Sequence, residues 1–108
     1  MEEYYSYIVV IIVTKSREEA EKIGKVMVEE KLAASANIIP EIKSFFFWKE
    51  KFYHINESIL LLNTRKDLFG KVKDRTRELH SYELPEIIAI PIISGSSDFL
   101  NWIKENTH

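Results

Sequence analysis

The chain has 108 residues, 45% of them apolar and 30% charged, which suits one packed domain spanning 1–108 and excludes a disordered chain. Fifteen Lys and Arg against seventeen Asp and Glu leave a net charge of −2, so no basic excess exists for nucleic-acid binding. Cysteine is absent, which removes disulfides, thiolate metal ligands and a cysteine nucleophile.

No apolar run approaches the roughly 20 residues that a membrane-spanning helix needs. The acidic start Met1-Glu2-Glu3 lacks the basic region of a signal peptide, so a cytoplasmic location and no membrane partner are expected.

Tyr4 to Thr14 is β-branched and aromatic, with an unbroken run from Ile8 to Val13. This predicts a first strand buried on both faces, hence central in a sheet. Ser16-Arg17-Glu18-Glu19 fits a capping box, and Ala20, Ile23 and Met27 share one helical face. A helix over about 17–30 follows, its carboxylates Glu18, Glu19, Glu29 and Glu30 read as solvated.

A second strand is predicted from Leu32 to Ile39, interrupted at Pro40 and resumed from Ile42 to Trp48. Lys49-Glu50-Lys51 makes the turn into a third strand, Phe52 to Asn63. Thr64-Arg65-Lys66-Asp67 resembles a second capping signal, ahead of a helix with the stripe Leu68, Val72, Thr76 and Leu79. The fourth strand, Ile87 to Ile93, contains Pro91 and is assigned to an edge. After Ser94-Gly95-Ser96-Ser97-Asp98 a short helix carries Phe99, Leu100 and Ile103.

The order is β-α-β-β-α-β plus a C-terminal helix: an α+β, ferredoxin-like split-βαβ fold. From Leu32 to Trp48 an extended chain reaches about 55 Å, well beyond an ordinary strand. Its end carries Phe45, Phe46, Phe47 and Trp48 in succession, so neither face is polar. Both helices cover one side of such a sheet, and another subunit is the simplest cover for the rest.

His80-Ser81-Tyr82-Glu83-Leu84-Pro85-Glu86 is the densest polar segment. Its His80, Glu83 and Glu86 can converge on a divalent cation. Equally, His80 can end a helix as a cation complementing the macrodipole, with Pro85 stiffening the turn. Trp48, Lys49 and Lys51 at the hairpin tip suit an anion or planar ligand, or interface packing. No phosphate-binding glycine loop or nucleophile motif is present, and no catalytic residue is assigned.

Several of these segments, in order, resemble the CutA family of divalent-cation tolerance proteins. They are Ser16 to Ile23, Glu30 to Ala34, Asn37-Ile38-Ile39-Pro40, Trp48 with Lys51, Thr64-Arg65, His80-x-Tyr82-Glu83-x-Pro85-Glu86-Ile87-Ile88-Ala89, and Asp98 to Ile103. The resemblance implies a ferredoxin-like homotrimer with its open sheet faces turned inward. It also implies a non-enzymatic role in divalent-metal tolerance, copper foremost, with no organic cofactor. Near the clefts between subunits, positions matching Trp48, Lys51, His80, Tyr82 and Glu83 would gather. Ser35 stands where that family commonly has cysteine, Glu50 where glycine is usual, Ser81 where proline follows the histidine, and Asn63 where lysine is frequent. Loss of the sulfur weakens soft Cu(I) coordination, so metal binding is expected to be weak. The alternative is a PII-like trimeric signalling module binding a small anion or nucleotide in the same cleft. The missing glycine-rich or strongly basic loop argues against nucleotide.

Overall fold

The computed structural model describes residues 6–108; Met1 to Tyr5, including the start of the predicted first strand, lie outside that range. Strand β1 (Tyr7–Thr14), helix α1 (Arg17–Glu29), strands β2 (Ser35–Trp48) and β3 (Lys51–Arg65), helix α2 (Phe69–Leu79), strand β4 (Ile87–Pro91) and helix α3 (Ser97–Glu105) follow in order. The sheet has the order β2-β3-β1-β4 and is antiparallel throughout. β1 and β3 are therefore central and β4, with its proline, is an edge, as the sequence predicts.

The register sorts side chains onto two faces. Val10 pairs Leu62 and Ala89, and Ile12 pairs Leu60 and Ile87, on the side that carries the helices. Ala20, Ile23 and Met27 of α1 and Val72 of α2 close the core over them. Burying each large apolar side chain contributes about 1.5–3 kcal/mol. At Gly24 the helix lies so close that a Cβ would stand 3.0 Å from Leu60 Cδ1 and 3.1 Å from Ala36 Cβ.

The other face is uncovered. Val9, Ile11, Ile59 and Leu61 are only half-buried there, and Ile39, Ile88 and Ile90 are exposed by 42%, 46% and 48%. Burial of β1 on both faces, expected from its apolar run, is thus met on one face within a single chain. The helices cover most of one side, while among the described residues the other side is reached only toward its ends, by Tyr82 at Glu57 and by Thr107 at Arg65.

Several boundaries differ from the sequence reading, one for a local reason and one for a long-range reason. Leu32 to Ala34 belong to the turn after α1, where Leu32 and Lys31 donate their N–H groups to Met27 and Val28 in a Schellman arrangement, with Lys31 at φ 65°. Thr64 lies within β3 and caps no helix: its hydroxyl donates to the Leu32 carbonyl at 2.6 Å. A 3-10 turn, Lys66–Leu68, then leads into α2 with no side-chain cap. β4 stops at Pro91, and Ile93 is solvent-exposed.

Pro40 bends β2 without ending it. The pairing shifts between Ile39 and Ile42, a bulge across which Ser58 Oγ donates to the Pro40 carbonyl at 2.6 Å. Beyond Thr14–Ser58, β1 has ended and β2 and β3 continue as a two-stranded hairpin. On its helix side stand Phe45, Phe47 and Phe52, exposed by 61%, 73% and 55%. His54 stacks on Phe45 at 4.6 Å between ring centres. Helix α3 buries Ile103 and stacks Phe99 on Trp102 at the surface, leaving the hairpin aromatics uncovered.

Candidate functional site

Three segments meet beyond the end of β1: the N-terminus of α1, the hairpin, and the loop from His80 to Glu86. Ser16 caps α1, its Oγ accepting the Glu19 N–H at 3.1 Å. The Glu19 carboxylate is buried. It accepts the Lys15 N–H at 3.0 Å and the Ser81 N–H at 2.8 Å, so it joins the helix start to the loop. Burial alone would raise its pKa. The hydrogen bonds from Lys15 and Ser81, with His80 nearby, outweigh that and hold it below the ordinary carboxylate value. Glu30 is exposed, as read from the sequence, and accepts from Arg75 of α2 through both oxygens.

His80 uses both ring nitrogens on backbone. Nε2–H donates to the Val13 carbonyl at 2.7 Å, and Nδ1 accepts the Tyr82 N–H at 3.0 Å, which fixes the Nε2–H tautomer. Glu83 and Glu86 are exposed, and Glu83 pairs with Lys49 Nζ at 3.0 Å. Among the described residues no three His, Asp or Glu side chains come together as a chelate. His80, Glu83 and Glu86 therefore do not form a ready metal site within one chain, because the imidazole is already committed.

The hairpin curls so that its tip reaches this loop. Lys49, neighbour of the half-buried Trp48, makes the tip contact, with its ammonium 5.4 Å from the Trp48 ring centre. Lys51 instead lies over Tyr53 at 5.2 Å. Lys49 and Glu50 take the turn with φ of 51° and 67°. At the hairpin base the Tyr82 hydroxyl donates to Glu57 Oε2 at 2.7 Å. Burial, and then the Glu57 carboxylate, push the phenol above its ordinary pKa.

Thus Trp48, Lys49, Tyr82, His80 and Glu83 are brought to one end of the molecule, with Glu19 and Glu57 as members that the sequence reading did not single out for the site. Glu57 did leave a signal: it is a carboxylate in the otherwise apolar alternation Ile55, Ile59, Leu61. The arrangement is one of held loops and hydrogen-bonded backbone.

The family model for "CutA1 divalent ion tolerance protein" matches residues 8–106. The chain belongs to the CutA1 divalent ion tolerance family. A divalent-cation tolerance protein CutA from Thermus thermophilus is 42% identical over 99 residues, covering 92% of this chain and 96% of its own. The CutA protein of Archaeoglobus fulgidus is 46% identical over 96 residues, covering 89% and 93%. The solved Thermus CutA1 structure superposes with a TM-score of 0.91 at 41% identity, over 94% of this chain and 99% of its own. CutA1 from Oryza sativa gives 0.92 at 33%, over 96% and 95%. CutA relatives are described in more than one compartment: the Archaeoglobus structure as periplasmic, the Arabidopsis thaliana protein as chloroplastic. Among the described residues no helix is long and apolar enough to cross a membrane.

Proposed function

We propose that this CutA chain acts in divalent-cation tolerance as a non-enzymatic homotrimer of one domain per subunit, with copper as its metal and a cytoplasmic site of action. The observation that carries the assembly is the uncovered sheet face: Val9, Ile11, Leu61, Ile88 and Ile90 form an apolar surface too continuous for a free subunit. A second feature supports it. The helix side of β4 is open at Ala89 and Pro91, leaving a groove of about 440 Å³ that Ile8, Phe69 and Gly70 also line. A projecting aromatic hairpin and an apolar groove on one molecule make a head-to-tail contact that closes into a ring. Three copies is the number implied by the family resemblance.

The metal reading is of weak binding at Glu83 and Glu86, with His80 Nδ1 added only when the Tyr82 N–H lets go, and with Trp48, Lys51 and Tyr82 lining the cleft toward a second subunit. Hard and borderline ions suit such oxygen and imidazole donors. A chain without cysteine has no disulfide to form and so needs no oxidising compartment.

Light scattering at micromolar concentration tests the assembly. A mass of three times 12.7 kDa is expected, and Phe47→Glu should break it, since a carboxylate in an apolar contact costs several kcal/mol. A monomer across the concentration range overturns the assembly. Titration of Cu²⁺ into the parent and a Glu83→Gln, Glu86→Gln double variant tests the metal. Weaker binding by the variant is expected, and superimposable isotherms remove these carboxylates.

A further inference from the structure

The distal hairpin needs an external support. Past Thr14 and Ser58 it has lost β1, and the bulge at Pro40 interrupts its ladder to the rest of the sheet. A two-stranded ribbon is marginal by itself and free to change its curl. The loop after α2 touches it at two places: Tyr82 at the base, through Glu57, and Glu83 at the tip, through Lys49.

We infer that residues 80–83 form a strap that sets the curl of the hairpin, with Tyr82 as the positioning residue. The strap is fixed from behind before it reaches the hairpin. His80 is held by the Val13 carbonyl, Ser81 by Glu19, and the Tyr82 backbone by His80 Nδ1. Its frame is therefore the end of β1, which is laddered to β3, and the capped start of α1. From this frame the phenol reaches a carboxylate that is only 5% exposed. A hydrogen bond to a buried charge is among the stronger ones, and losing it leaves the carboxylate without its donor. The tip contact joins two exposed side chains and is screened, so it adds little. Tyr82 thus governs where the hairpin places Trp48, Lys49 and Lys51. This inference rests on contacts within one chain and on no metal; in the proposed trimer the strap sets the curl with which the hairpin meets its neighbour.

Hydrogen exchange on the full-length protein tests it. In Tyr82→Phe the ladder amides of residues 42–57 should exchange about tenfold faster, while those of β1 stay at the parent rate. Glu57→Gln keeps an acceptor for the phenol but not its charge, so it should accelerate these amides less than Tyr82→Phe does; Glu83→Gln removes only the exposed tip pair and should stay within about threefold of the parent. Hairpin exchange at the parent rate in Tyr82→Phe overturns the strap, and so does an equal acceleration in β1, which signals general destabilisation. The natural lack of cysteine allows a second measurement. Spin labels at Glu50→Cys and Asp74→Cys, in subunits diluted into an excess of unlabelled protein so that each assembly carries one labelled subunit, should give one narrow tip-to-α2 distance, which Tyr82→Phe broadens. An unchanged narrow distance overturns the inference.

Discussion

Replacing Glu50 by glycine should stabilise the protein. Trp48 pairs with Lys51 across a two-residue turn in which Lys49 and Glu50 both have positive φ, 51° and 67°. That is the type I′ geometry, whose second position favours glycine. A side chain in the left-handed region costs about 1–2 kcal/mol per residue. Glycine removes that cost at Glu50 but loses about 0.5–1 kcal/mol to the greater freedom of the unfolded chain. The central balance is a gain of about 0.75 kcal/mol within a span of about 0–1.5, or about 3–6 °C in melting temperature at the centre for a domain of this size. Glu50 is exposed, and the Lys49–Glu83 pair is untouched. Lys49→Gly should gain less, since it relieves similar strain but loses that pair and the contact with Trp48. Thermal unfolding followed by circular dichroism, at one fixed protein concentration, measures both. A melting temperature for Glu50→Gly that is unchanged or lower refutes the strain argument.

Gly24→Ala should destabilise by about 1–3 kcal/mol in urea unfolding, because its Cβ meets Leu60 and Ala36 near 3 Å in a packed layer. Thr64→Val should cost about 1–3 kcal/mol in the same assay by leaving the Leu32 carbonyl without its donor. The pKa of Glu19 is depressed in the folded state from 4.5, so its stabilisation is present above that value and is lost as pH falls through the lower, folded one. Unfolding free energies taken down to about pH 3 should fall more steeply for the parent than for Glu19→Gln.

What the sequence reveals here is what has a short period. The stripe Ala20, Ile23, Met27, the Ser16 cap and the edge position of a proline-containing strand all follow from spacing of a few residues, and the fold has them. Misreadings arise where a hydrogen-bond partner lies far along the chain, or where a helix end continues into an apolar turn. Thr64 resembles a helix cap until Leu32, half a sheet away, takes its hydroxyl. Leu32 and Ala33 are as apolar as strand residues, yet their backbone turns to finish α1. The same holds at the candidate site. His80 has the spacing of a ligand, while the carbonyl that occupies its Nε2 belongs to Val13, a residue no local pattern connects to it. Glu19 shows as a capping residue, but its second oxygen serves Ser81.

The strand order has a consequence for how fast the chain folds. β2 and β3 are neighbours in sequence and sheet, so their hairpin closes early, on the microsecond scale of about 1–10 μs. β1 must wait for both of its partners: Ile11 pairs with Leu61 and then with Ile88, across long stretches of chain. Such closures lose loop entropy before they gain contacts, and they set the slow step. Phe45, Phe47 and Phe52 are thus displayed on a formed hairpin while the central strand is still unplaced. That interval is when one chain meets another through its aromatic ribbon, so the yield of refolding should fall as protein concentration rises, well before any change in the stability of the finished fold.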